Sequence, residues 1–202
     1  TLDLQHNNFR TLEELLSLVH LRRLSCLKLA YNRVLVLPPS VGVLRGLELL
    51  DLSNNQLKSL PAALFALHRL RRLLLAPAAL FALHRLRRLL LAGNLLCELP
   101  SEVKALQLLT ELDLSGNRLE SLPSDLFSCC LELRILNVSR NSLSSLPTGI
   151  AALSHLSRLD LRSNSLEELP AELGCCLGLC GGGLLVERWL LLSLPPHVRD
   201  FL

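Results

Sequence analysis

The chain contains no methionine, and only one Trp, one Tyr and five Phe among its 202 residues. A single globular core mixes Leu with Ile, Val, Phe and Met to fill irregular space, so this composition argues against an ordinary globule. Charge is scarce as well. Charged residues make up 19% of the chain while half of it is apolar, which excludes a disordered segment. Long apolar runs are also missing. The longest, Leu73 to Leu83, has eleven residues and contains Pro77, against the roughly 20 that a membrane-spanning helix needs. The lack of Met implies that the sequence is a piece of a longer protein.

What the chain does have is leucine, 63 times, and its placement is periodic. Asn7, Asn32, Asn55, Asn94, Asn117, Asn141 and Asn164 each close a Leu-x-Leu-x-x-Asn pattern, with Val138 in place of one Leu, at spacings of 25, 23, 39, 23, 24 and 23. Six residues after all but the first Asn comes a Pro: Pro38, Pro61, Pro100, Pro123, Pro147 and Pro170. The unit is L-x-x-L-x-L-x-x-N-x-L-x-x-L-P-x-x-L-x-x-L-x-x, clearest from Leu109 to Leu131. Self-similarity at this period is the mark of stacked repeats.

Two periodicities share each unit. The L-x-L segment alternates with period 2, so its two Leu point inward and their neighbours outward, as in a strand. After the Asn, Leu recurs every three residues, which suits a short helical or 3₁₀ return. Pro ends one conformation and can open the next, where its missing N–H costs little. One unit cannot bury its Leu face alone, but units stacked side by side bury a continuous column and pair their strands in parallel. The Asn sits where the chain leaves the strand, and a short polar side chain there can bond turn groups. The seven asparagines are therefore assigned to a structural ladder that satisfies otherwise orphaned backbone groups.

These residues resemble the leucine-rich repeat family, in its roughly 23-residue class with Leu-Pro after the Asn, typical of cytoplasmic scaffolds of the Scribble and Erbin type. The resemblance runs from Leu2 to about Pro195. It implies an α/β solenoid, with a curved parallel sheet on its concave face and short helices, 3₁₀ turns and loops on its convex face. It also implies that the concave face binds another protein. The expected organisation is one array over residues 1–202, of about eight units. Its last unit, 171–202, is degenerate, with Trp189 where Asn belongs, and neither end shows a cap.

One block breaks the phase. Residues 61–76 read PAALFALHRLRRLLLA, and residues 77–92 read the same again. The first copy lacks the Asn and the turn that should come after its strand, with Ala78 at that phase. Sixteen residues are fewer than the roughly 20 of the shortest regular unit. An out-of-phase insertion is therefore expected within 61–92, as a protruding segment or distorted coil near Ala76 to Leu83. Each copy carries three Arg and no acid, so removing one would leave 18 basic and 18 acidic residues, and the whole excess of +3 lies in the duplication. A nucleic-acid surface wants basic residues spread over a face with stacking aromatics, and this pattern does not provide them.

Strand residues between the core Leu form the candidate binding face: Lys28, Leu49, Asp51, Arg72, Leu74, Arg88, Leu90, Glu111, Asp113, Ile135, Asn137, Arg158, Asp160 and Arg162. An exposed apolar patch is expected around Leu49, Leu74 or Leu90, and Ile135, rimmed by the charge that interaction sites show. Catalytic chemistry finds no support. His20, His68, His84 and His155 repeat at one phase, as turn residues do, and no nucleophile–base set, metal motif or phosphate loop appears. Gly181 to Gly183 reads as a loosened last coil, where a strand should begin. Seven scattered Cys without terminal clusters fit a reducing compartment. The reading is a non-catalytic protein-interaction module of a cytoplasmic scaffold or signalling regulator, without cofactor or metal. The rivals are a receptor ectodomain, for which Asn137-Val138-Ser139 would be a glycosylation acceptor, and a repeat region joined to an enzyme.

Overall fold

The computed structural model describes residues 1–13, 21, 23–61, 64 and 85–202. Eight short strands form one parallel sheet in chain order: β1 Leu2–Asp3, β2 Cys26–Lys28, β3 Leu49–Asp51, β4 Arg88–Leu90, β5 Glu111–Asp113, β6 Ile135–Asn137, β7 Arg158–Asp160 and β8 Leu184–Leu185. The central residues align across the sheet, from Leu27 through Leu50, Leu89, Leu112 and Leu136 to Leu159. Each of these is essentially inaccessible, as are Leu29, Leu52, Leu91, Leu114, Val138 and Leu161 two residues on. The inward Leu of one coil packs on those of the next, and fully burying one such side chain contributes roughly 1.5–3 kcal/mol. The molecule is a curved leucine-rich solenoid with the sheet on its concave side.

The returns are set by the Leu-Pro junction. Pro100, Pro123, Pro147 and Pro170 stand extended immediately before a return. Each carbonyl accepts the N–H three residues on, from Val103, Leu126, Ile150 and Leu173, so Pro supplies an acceptor where its missing donor does no harm. In 23-residue units the return is a five-residue 3₁₀ helix, as in Pro39–Val43, Ser101–Ala105 and Thr148–Ala152. Between Asn117 and Asn141 the spacing is 24, and there the return is α1, Ser124–Cys129, a six-residue α-helix. The added residue gives the return room for α geometry.

β3 pairs directly with β4, Leu50 opposite Leu89. The strand of the duplicated block that continues the sheet is thus that of the second copy, the one that leads into a turn and Asn94. The sixteen extra residues leave the sheet in register. The expected distorted coil near Ala76 to Leu83 lies outside the described residues.

The asparagines bridge coils in one direction. Asn117 Nδ2 donates to Leu114 O of its own coil and to Leu91 O of the preceding one, each at 2.9 Å. Its Oδ1 accepts Leu96 N–H of the preceding coil at 3.0 Å. Asn32, Asn55, Asn94, Asn141 and Asn164 repeat this arrangement. Asn32, Asn55, Asn94 and Asn117 are buried, whereas Asn7, in the first coil of the 202-residue chain, is exposed and donates to Leu4 O and Gln5 O.

The last coil is not simply decayed. Gly181 and Gly182 turn through φ of +80° and +103°, and β8 then pairs with β7. Gly183 is required by contact, since a Cβ there would lie 2.3 Å from Ser157 O. The return Leu190–Ser193 and α2, Pro196–Arg199, complete the chain's end. Leu190, Leu194 and Val198 are buried and join the core, while Leu177, Trp189 and Leu192 are well exposed.

Candidate functional site

The parallel register turns the outward strand positions into rows that run across all the coils. The middle row reads Asp3, Lys28, Asp51, Leu90, Asp113, Asn137, Asp160 and Leu185. The row before it reads Cys26, Leu49, Arg88, Glu111, Ile135 and Arg158. Arg162 lies two residues after Asp160, on the same face. Arg72 and Leu74 lie outside the described residues. Leu49, Leu90 and Ile135 are half-buried, and they do not join into the exposed apolar patch expected around them. Leu49 and Leu90 are diagonal neighbours, but Ile135 sits between Glu111 and Arg158, beyond β5. Alternating Arg and Glu in that row separates the apolar side chains.

The middle-row polar side chains are tied to the backbone. Asp51, Asp113 and Asn137 each accept the N–H of the Ser two residues on, and Ser115 and Ser139 add their hydroxyls at 2.7 and 2.8 Å. Ion pairs then lock neighbours together. Lys28 Nζ lies 3.7 Å from Asp3, and Arg88 Nε donates to Glu111 of the next strand. Arg162 grips Asp160 in two-pronged fashion, Nε to Oδ1 at 3.0 Å and Nη2 to Oδ2 at 2.6 Å. Asp160 is buried, and burial alone would raise its carboxyl. Hydrogen bonds from the Arg162 side chain and N–H, with the charges of Arg162 and Arg158, instead hold it below the ordinary carboxylate value.

A second feature lies just past the strands. The residue before every ladder Asn is left-handed, with φ between 54° and 64°: His6, Tyr31, Asn54, Gly93, Gly116, Arg140 and Ser163. Side chains rarely accept this conformation. Their N–H groups continue the sheet, as in Gly116 N–H to Ser139 O at 2.9 Å. These residues form a rim at the C-terminal lip of the concave face. At one end the His6 and Tyr31 rings stack, with centroids 4.5 Å apart. In the middle Gly93 and Gly116 leave the rim open over a concavity of about 470 Å³. Alternation alone does not expose this rim, although the Gly-Asn pairs at Gly93-Asn94 and Gly116-Asn117 are its signal.

The thiols are all unpaired. Cys130 and Cys176 take a buried return position and donate to Val103 O and Ile150 O of preceding coils, at 3.5 and 3.2 Å. Burial and the neighbouring Cys push them up to about 12 and about 11, so they serve packing and not thiolate chemistry. Among the described residues, no group of three or more His, Cys, Asp or Glu could hold a metal ion.

Comparison with known proteins agrees with this architecture. The family model described as Leucine rich repeat matches residues 22–77 and 107–172. The chain belongs to the leucine-rich repeat family, whose arrays are protein-interaction modules. Over 66 residues it is 52% identical to the rat volume-regulated anion channel subunit LRRC8D, and over 70 residues 44% identical to the human subunit LRRC8A. These matches cover 33% and 35% of this chain but only 8% and 9% of the subunits. The chain thus corresponds to a small part of those relatives. Among solved structures, a Leptospira interrogans LRR protein superposes with a TM-score of 0.66 at 33% identity, over 93% of this chain and 48% of that one.

Proposed function

We propose that the array is a non-catalytic docking module that receives a protein partner on its concave strand face, as part of an intracellular scaffold or signalling regulator. The observation that carries this reading is the preorganisation of the outward rows. Arg88 pairs with Glu111 of the next strand and Arg162 with Asp160 two residues before it, on the face that carries half-buried Leu49, Leu90 and Ile135. Polar groups already held in place lose little freedom on binding, and charge set around apolar contacts gives specificity. A cytoplasmic location is part of the proposal, supported by seven unpaired thiols. A glycan found on Asn137 in the cell would assign an ectodomain instead. The test is affinity capture of the chain against the charge reversals Arg158→Glu and Asp113→Lys. Partners lost from the variants support the concave face, and an unchanged set removes it.

The likeness to volume-regulated anion channel subunits favours a second reading, in which the array is the repeat region of a larger membrane protein and not of a free scaffold of the Scribble and Erbin type. Among the described residues no helix is long and apolar enough to cross a membrane. Sequencing the full transcript decides between the two readings, since apolar spans of about 20 residues beside the array would select the second.

A further inference from the structure

The concavity on the lip of the sheet is built from a regular rim with two teeth missing. Asn54 bounds it on one side and Arg140 and Ser163 on the other, while Gly93 and Gly116 present only backbone between them. With strands about 4.8 Å apart, the gap admits an extended chain crossing the lip. Its polar groups are unequally spent. The carboxylate of Asp160 is occupied by Arg162, and Asn137 Oδ1 by the N–H and hydroxyl of Ser139. Donors remain. The Arg140 side chain is exposed and has no hydrogen-bond or ion-pair partner among the described residues. Arg162 has further guanidinium N–H groups beyond the two that hold Asp160, and the Asn137 amide has its N–H₂ to offer. With Arg140 and Arg162 in the lining and its one carboxylate already held by Arg162, the notch is complementary to an anionic, acceptor-rich ligand.

We propose that this notch takes an extended acidic segment of a protein partner, one side-chain carboxylate meeting Arg140 and the outer N–H groups of Arg162. The inference rests on the concave-face reading and adds the chemistry of the partner. A nucleic acid fits less well, because among the described residues no aromatic side chain lines the notch for base stacking.

Gly116 offers a direct way to close it. A Cβ there would meet nothing nearer than 3.5 Å, whereas at Gly93 it would lie 2.5 Å from Asn54 Oδ1. Asn accepts the left-handed conformation, as Asn54 does at the same rim position, so Gly116→Asn fills the notch without breaking the coil. The test pans a phage library of random decapeptides against the 202-residue chain and measures recovered peptides by fluorescence anisotropy. The variants are Arg140→Gln, Gly116→Asn and, outside the face, Arg118→Gln. The expected peptides are enriched in Asp and Glu. They weaken about tenfold or more with Arg140→Gln and with Gly116→Asn, and hold their affinity with Arg118→Gln. Should Gly116→Asn fail to fold by circular dichroism, the exposed Arg140→Gln still decides. Peptides without an acidic bias, or a library that yields no binder, overturn the proposal. Peptides that lose affinity with Arg158→Glu or Asp113→Lys but not with the notch variants overturn the notch and leave the concave face standing. Peptides indifferent to all of these overturn both.

Discussion

The first and last coils of the 202-residue chain bond their turns differently from the interior coils. From Asn32 on, each ladder Asn reaches back to the coil before it, never forward. In the 202-residue chain Asn7 instead bonds its own exposed turn. At the other end the last coil has Trp189 where Asn would stand, so no Asn reaches back to the seventh coil. Two side chains of the last coil do that work instead. Glu187 Oε1 accepts Ser163 N–H at 2.6 Å, and Ser193 Oγ accepts Leu169 N–H at 3.0 Å while donating to Leu190 O at 2.8 Å. Each coil is thus completed by its successor, and a coil's worth depends on which neighbour it has.

The sharpest way to break that comparison is to remove the same side chain at both places. Asn117→Leu leaves Leu91 O, Leu114 O and Leu96 N–H without their buried partner, and should cost about 3 kcal/mol. Asn7→Leu removes bonds that water replaces and should cost under about 1 kcal/mol. Urea unfolding of the two variants measures the difference, and equal losses would remove the directional ladder. A somewhat smaller contrast separates the two rim glycines. Gly93→Ala combines left-handed strain with a 2.5 Å contact to Asn54 and should cost more than about 2 kcal/mol. Gly116→Ala, with strain alone, should cost about 1 kcal/mol. Thermal unfolding that ranks them in reverse would sink the steric account. At the last coil, Ser193→Ala should cost about 1 kcal/mol by orphaning Leu169 N–H, and hydrogen exchange at that amide would report the loss.

The fold was legible because its main force repeats locally. Burial of Leu at period 2 and then near 3 marks strand and return without any long-range knowledge, and the Leu-Pro junction marks where the return begins. The duplicated block shows the limit. Its two copies are identical in sequence and differ only in the residues that come next: β4 of the second leads into Gly93 and Asn94, which supply the left-handed turn and the bridging amide, whereas the sequence of the first runs into Pro77 and Ala78. Alternation also named the outward rows, but not their partners. Whether Arg88 meets Glu111, or Leu49 meets Ile135, depends on strand order and diagonal spacing, which a row of letters does not carry. The notch escaped for a related reason, since it consists of side chains that are absent from two successive coils.

The smallest effect concerns Asp160, which differs from the other middle-row acids in having Arg162 folded over it. Its carboxyl is held below the ordinary value of 3.8. A lowered value in the folded state means that the charged form is favoured by folding, so the extra stability is present above the unfolded value and disappears as pH falls through the folded one. Arg162 is half exposed, and solvent screening keeps the contribution under about 1 kcal/mol. Asp160→Asn preserves an acceptor for the Arg162 N–H but deletes the charge. Wild type should therefore be the more stable protein at neutral pH, and the gap should close as acid protonates Asp160 below the ordinary carboxylate range. Urea midpoints of both proteins across that range provide the measurement. A gap that survives once Asp160 is protonated would mean that the Asp160 side chain acts by shape and hydrogen bonding alone, and that the basic end of the concave face is held without the help of its charge.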